Sequence, residues 1–185
     1  MKLVLIDRDG VINEELPNFV KSADELHILP QALEAFALLK RHHFTCVIIT
    51  NQSVVGRGII SEGALERIHN HLEEEIKAHG GKVDSIFACT DHPDRSTYRR
   101  KPGAGMLIEA LEKYGAQAAR TPFIGDSVVD MQAALAAGCP RYLVMTGKGH
   151  DTLRELPPEC KPVTPCMDIL DAARRIVTMP EYGAA

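Results

Sequence analysis

The chain has 185 residues, 45% of them hydrophobic and 25% charged, with a formal net charge of −4 and a pI near 6.1. That length suits one domain with a real core, and the acidic balance argues against a general binder of nucleic acid or anionic membrane. No apolar run approaches the roughly 20 residues of a membrane span, so no membrane partner is expected.

Short apolar runs alternate with helical patterns along the chain. Met1-Lys2 leads straight into the first predicted strand, KLVLI from Lys2, which lacks the apolar core and small-residue cleavage site of a signal peptide. Pro30 suits the first turn of a helix reaching about His42, with Leu33, Phe36 and Leu39 at core spacing. FTCVIIT from Phe44 is the second strand. Ser61 can cap a helix to about His79, closed by Gly80 and Gly81. Its histidines, His69, His71 and His79, lack a ligand-pair spacing and are expected on a solvated face. VDSIFAC from Val83 is the third strand, and Gly103 to Tyr114 the next helix.

TPFIG from Thr121 is the fourth strand. The helix from Val128 to Ala137 follows, stopped by Gly138 and Pro140, and RYLVM from Arg141 is the fifth strand. PPECKPVTP from Pro157 is an irregular connection with room for a short edge strand; Met167 to Thr178 forms a last helix, and the end, PEYGAA, is expected to be loose. The strands are β-branched and nearly continuous, as strands buried on both faces are. The fold expected is therefore α/β: a Rossmann-like parallel sheet with helices on both faces, one domain over 1–185 with an extension from about 157. Five cysteines, Cys46, Cys89, Cys139, Cys160 and Cys166, without framework spacing, are expected as reduced thiols in a cytoplasmic protein.

In such sheets chemistry collects where strands end. The first strand ends in Asp7-Arg8-Asp9-Gly10, the second in Thr50-Asn51-Gln52-Ser53. The loop after the third ends in Arg100-Lys101-Pro102, and the fourth strand ends in Gly125-Asp126-Ser127 with Asp130 one turn on. Two carboxylates at i and i+2 leave a strand on one side, and like charges that close recruit a cation or raise a pKa. Asp7, Asp9 and Asp126 can make an oxygen site for Mg²⁺, which keeps waters and binds substrate phosphate. Thr50 and Lys101 can hold phosphate oxygens. One carboxylate is then free to attack phosphorus while the other serves as acid and base. Asp130, four residues from Asp126, is placed to tune Lys101 or the metal's waters. The same residues miss the spacing of a calcium loop.

DRDG, ITNQ, RRKP and GDSVVD stand in the order found in the haloacid-dehalogenase-like phosphatase superfamily, and the resemblance covers about Lys2 to Lys148. It implies Asp7 as nucleophile, Asp9 as acid and base, Thr50 and Lys101 as phosphate clamp, and Asp126 as a further metal ligand. DRDGVIN, TNQSVVGRG, RKPGAGM and GDSVVDMQAA are similar to the branch of histidinol-phosphate and heptose-bisphosphate phosphatases. That implies a small phosphorylated metabolite as partner, with the 7-phosphate of a manno-heptose 1,7-bisphosphate preferred. Histidinol phosphate or another sugar phosphate is the alternative.

That branch carries a zinc loop, but here it is CTDHPDRSTYRRKP. Asp91 stands where a ligand His falls, and Thr97 and Arg99 occupy two Cys positions. Four good ligands are not available, so structural Zn²⁺ is expected to be absent, with Arg–Asp pairing holding the loop. About twenty residues between Gly10 and Pro30, and a short loop before Lys101, leave no room for a cap domain. Asn51, Gln52 and Ser53 are expected substrate contacts, and Arg57, Arg100 and Lys148 are expected cations near a second anionic group. A monomer or small homo-oligomer is expected. Two readings of another class remain at this point: a phosphorylatable receiver-like signalling domain, and a silent binding protein that keeps the fold.

Overall fold

The computed structural model describes residues 1–180, so the stretch PEYGAA lies outside the described residues from 181 onward. Six strands, β1 (Leu3–Ile6), β2 (Thr45–Asn51), β3 (Ser85–Cys89), β4 (Phe123–Gly125), β5 (Arg141–Val144) and β6 (Thr164–Cys166), form one parallel sheet in the order β3-β2-β1-β4-β5-β6. The order reverses between β1 and β4, and the crevice above that reversal is where such sheets bind ligands. Receiver domains run 2-1-3-4-5 instead, so the receiver-like alternative is corrected by topology alone.

Among the described residues seven helices accompany the sheet: α1 (Pro30–Arg41), α2 (Ser53–Gly56), α3 (Glu62–Ala78), α4 (Gly105–Tyr114), α5 (Val128–Ala137), α6 (Gly149–Glu155) and α7 (Ile169–Val177). Alternation along β1 shows why both faces are needed. Val4 and Ile6 pack with Phe36 and Leu39 of α1, Ile68 and Leu72 of α3, and Ile176 of α7. Leu3 and Leu5 pack on the other side with Met106 and Leu107 of α4 and Ala133 and Ala134 of α5. Every residue of β1 is fully buried. Each Leu or Ile buried this way contributes about 1.5–3 kcal/mol against leaving it in water.

Local signals set the ends. Pro30 is the first residue of α1, Ser61 accepts a hydrogen bond from Ala64 N at 3.1 Å to start α3, and α4 and α5 stop at Gly115 and Gly138 in left-handed conformation. The edge strand expected near Pro165 is β6, paired with β5 through Tyr142–Thr164 and Val144–Cys166. Two helices stand where none was expected. α2 is a single turn, and α6 has two glycines near its start and no apolar period. All five cysteines are free and buried. Among the described residues no helix is long and apolar enough to cross a membrane.

The segment between β1 and α1 is a flap rather than a domain. It is tied to itself by the Asn13–Ile28 bridge and the Leu29 N to Ile12 O hydrogen bond of 2.9 Å, and to the core by buried Val11, Ile12, Val20 and Leu26.

Candidate active site

A cleft of about 560 Å³ opens at the carboxyl ends of the strands, and it is lined by the residues that follow β1, the flap, the end of β2, the loop before α4, the β4–α5 turn and Lys148. At its floor Lys101 Nζ lies 2.7 Å from both Asp7 Oδ1 and Asp130 Oδ1 and donates to Ile49 O at 3.0 Å. Lys101 is 3% exposed, so this ammonium is taken out of water almost entirely. Burial lowers its pKa, but the Asp130 and Asp7 charges outweigh that and raise it. It is a fixed positive charge at any ordinary pH.

The three acids divide by environment. Asp7 is held well above the usual carboxylate range by burial and by Asp130 and Asp126 beside it, against the pull of Lys101. Asp126 is pushed up to about 7 by burial and by Asp130, although Lys148 N donates to its Oδ2 at 2.8 Å. Asp130 goes the other way: burial opposes ionisation, but Lys101 and the Ser127 hydrogen bonds hold it below its ordinary value. Its Oδ2 accepts from Ser127 N at 3.0 Å and Ser127 Oγ at 2.6 Å, so the residue that orients Lys101 also closes the first turn of α5.

Oxygen atoms of Asp7, Asp126 and Asp130 lie within 4.8 Å of one another, a cluster of three buried carboxylates against one ammonium. Hard oxygen donors with uncompensated negative charge suit a divalent cation such as Mg²⁺. Space is kept for it. Gly10 (φ 80°) and Gly147 (φ 53°) both face Asp126 Oδ2, and a Cβ on either would collide with that oxygen. Asp9 was expected as a carboxylate ligand, and its side chain is not in the cluster. Its Oδ1 accepts from Arg8 Nη2 at 2.8 Å and Asn13 Nδ2 at 3.0 Å, and its Oδ2 from Gln52 Nε2 at 2.8 Å. Burial raises the Asp9 pKa, but Arg8, Asn13 and Gln52 outweigh it and keep the carboxylate low.

The expected contacts separate in the same way. Thr50 is buried beside Gln52, whose Nε2 donates to Thr50 Oγ1 at 2.8 Å. Asn51 lines the cleft, but both ends of its amide hold the Lys101 backbone: Nδ2 donates to Lys101 O at 3.0 Å and Oδ1 accepts from Lys101 N at 3.1 Å. Ser53, Arg100 and Lys148 line the cleft, and Arg100 Nη1 is buried with no hydrogen-bond partner. Lys148 Nζ pairs with Glu15 of the flap. Arg57 is a correction: it is exposed, outside the cleft, and its Nε lies 3.4 Å from Ser53 Oγ.

Arg8 was missed as a member of the site, and His69 as the residue behind it. Arg8 is 1% exposed, pairs with Asp9, and lies 3.3 Å from His69 Nε2 through Nη1. His69 therefore corrects the solvated-face expectation: burial and then the Arg8 charge push its pKa down to about 4, so it is the neutral acceptor. A charged residue between two aspartates was the available signal. The loop after β3 also corrects an expectation. Arg99 forks onto Glu109, with Nε to Oε1 at 2.7 Å and Nη2 to Oε2 at 3.0 Å, rather than onto an aspartate. Asp91 Oδ2 instead accepts from Thr97 N at 2.6 Å and Thr97 Oγ1 at 2.7 Å.

The chain is similar to known proteins over most of its length. Residues 98–172 match a family described as HAD-hydrolase-like. A D-glycero-β-D-manno-heptose-1,7-bisphosphate 7-phosphatase from Bordetella bronchiseptica is 43% identical over 155 residues, 84% of this chain and 87% of the relative. The enzyme of that name from Pseudomonas aeruginosa is 40% identical over 157 residues, 85% and 88% of the two chains. A solved D,D-heptose 1,7-bisphosphate phosphatase from B. bronchiseptica, complexed with magnesium and phosphate, superposes with a TM-score of 0.91 at 40% identity, covering 96% of this chain and 98% of that one.

Proposed function

Because the chain belongs to the heptose-1,7-bisphosphate 7-phosphatase branch of the haloacid-dehalogenase-like hydrolases, we propose that its cleft removes the 7-phosphate of D-glycero-β-D-manno-heptose 1,7-bisphosphate. The protein is a hydrolase of phosphate monoesters, and Mg²⁺ is its cofactor. One observation carries the residue assignment: the buried Asp7–Lys101–Asp130 array with Asp126 beside it, at the point where strand order reverses.

Asp7 is the nucleophile in this reading. Arg8 N, at 2.7 Å, and Lys101 Nζ both bind its Oδ1, which leaves Oδ2 to attack phosphorus. As the Oδ2–P bond forms, the bond from phosphorus to the sugar oxygen breaks, and Asp9 protonates that oxygen. Water then attacks the aspartyl-phosphate, its proton passes to Asp9, and inorganic phosphate leaves with Asp7 restored. Lys101 and Thr50 hold the phosphoryl oxygens. Asp7 and Asp126 would hold Mg²⁺, which when bound offsets the charge of the phosphoryl group. Asp130 and Asn51 position Lys101, from its side chain and its backbone respectively. Arg100, with Nη1 unpartnered, is the cation suited to the second phosphate.

The loop after β3 does without Zn²⁺ in this reading, since Thr97 and Arg99 have other partners. Free, buried cysteines support a cytoplasmic setting. The test is inorganic phosphate release from α and β heptose 1,7-bisphosphate, histidinol phosphate and sugar monophosphates, with and without Mg²⁺. A strong preference for the β anomer is expected. Asp7→Asn should lower that rate by several orders of magnitude with folding kept, and activity within tenfold of the parent would remove the covalent step.

A further inference from the structure

We infer that Phe19, on the flap, is a specificity-determining residue whose ring gives the sugar body of the substrate an apolar wall. The inference rests on the sugar-phosphatase reading above and names what selects the sugar.

The cleft has two unlike sides. Its floor is charged and polar, from Asp7 to Lys101, whereas the flap side brings Leu16, Pro17, Phe19 and Val20. A sugar bisphosphate is built the same way, with anionic ends and a carbon skeleton carrying C–H faces between them. Such faces lie well on aromatic rings.

Phe19 is placed there at a cost in backbone conformation. Its φ is 62°, in the left-handed region that Gly and Asn take readily and bulky residues avoid. The flanks force it. Phe19 N is tied to Leu16 O at 3.2 Å, Lys21 N to Glu25 Oε2 at 3.0 Å, and Val20 between them is 2% exposed in the core. With Val20 turned inward, Phe19 is turned out, and it remains 41% exposed although it is one of the chain's few large aromatic residues. Neither burial nor backbone preference accounts for a Phe here. Strained residues of this kind concentrate at ligand clamps, and this one lines the cleft.

The experiment compares the full-length parent, Phe19→Asn and Phe19→Tyr on β-heptose 1,7-bisphosphate and on acetyl phosphate, which has no ring to lie on, with Tm measured for each. Phe19→Asn fits the backbone, so its Tm should stay at the parent value or rise by about 2–4 °C. Its KM for the heptose bisphosphate should rise about tenfold, with the rate on acetyl phosphate within twofold of the parent. Phe19→Tyr should keep both. An unchanged heptose KM in Phe19→Asn overturns the inference, as does an equal loss on both substrates, which would make Phe19 structural. If Phe19→Asn fails to fold, Phe19→Gly, which also fits the backbone and removes the ring, replaces it with the same expectations for KM. A parent that cleaves acetyl phosphate but not the heptose bisphosphate would overturn the functional reading itself, and the inference with it.

Discussion

Asn51 holds the backbone of Lys101 at both its N–H and its carbonyl, across fifty residues of sequence, with hydrogen bonds of 3.1 and 3.0 Å. The end of β2 thus helps fix where the ammonium between Asp7 and Asp130 can stand. Asn51→Ala removes both bonds and leaves Lys101 still paired with Asp7 and Asp130. Two neutral hydrogen bonds of this kind contribute about 1–3 kcal/mol together. We expect kcat/KM to fall about 10–100-fold with Tm within a few degrees of the parent. A variant at parental activity would show that the side-chain pairs alone place Lys101.

Asp126 gives a prediction about the metal. Its carboxyl is held up near 7 by burial and by Asp130, so in the metal-free protein this group opposes folding near neutral pH. Asp126→Asn should leave the metal-free protein at least as stable as the parent. Millimolar Mg²⁺ should raise the parent's Tm by several degrees through binding to the folded state only, and should do so far less in the variant. Thermal melts with EDTA and with added Mg²⁺ decide it. Equal gains in both proteins would take Asp126 out of the metal site.

His69 predicts a pH dependence of stability. Its pKa falls to about 4 in the folded protein, from burial first and the Arg8 charge second. Between that value and about 6.5 the unfolded chain holds the extra proton, so stability from this group is complete above about 6.5 and is lost as pH falls toward 4. The loss is about 3 kcal/mol at most. Asp126 works in the opposite sense over pH 5–7, because its raised pKa lets the folded state hold the proton. Comparison with His69→Gln, which keeps an acceptor for Arg8, cancels that contribution. Between pH 7.5 and 5.0 the parent's denaturant midpoint should fall relative to the variant's. Parallel midpoints would mean His69 is protonated in the folded protein.

Much of this site was legible because its parts lie where strands end. Asp7, Thr50, Lys101 and Asp126 each follow a recognisable apolar run or its loop, and parallel sheets bring such ends together. What could not be read was how side chains turn. Asp9 and Asp126 are both carboxylates after strands, yet one is captured by Arg8, Asn13 and Gln52 and the other is left facing the cleft. That choice is made by Arg8, by Asn13 of the flap and by Gln52 at the start of α2, and the apolar pattern of the strands does not record it. α6 escaped notice because its buried residues, Gly149 and Thr152, are not apolar anchors. His69 looked solvated because the helix pattern shows which face it occupies, but not that Arg8 would come up against it.

The Arg8–Asp9 pair also bears on the order of proton transfers. Asp9 is ionised at rest, held by a guanidinium that is itself 1% exposed. That state suits the base that takes a proton from water, whereas protonating a sugar oxygen requires Asp9 to gain a proton first. Asp9→Asn removes both steps while keeping an oxygen for Arg8. With acetyl phosphate, whose leaving group needs little help, Asp7 should still be phosphorylated in this variant. The aspartyl-phosphate should then persist, because water is no longer activated, and turnover should fall about 10²–10⁴-fold. With the heptose bisphosphate, formation of the phosphoenzyme should itself slow. Rapid-quench trapping with both substrates separates the two effects. Equal slowing of phosphoenzyme formation on both would remove Asp9 as the acid, and rapid loss of the trapped phosphate would remove it as the base.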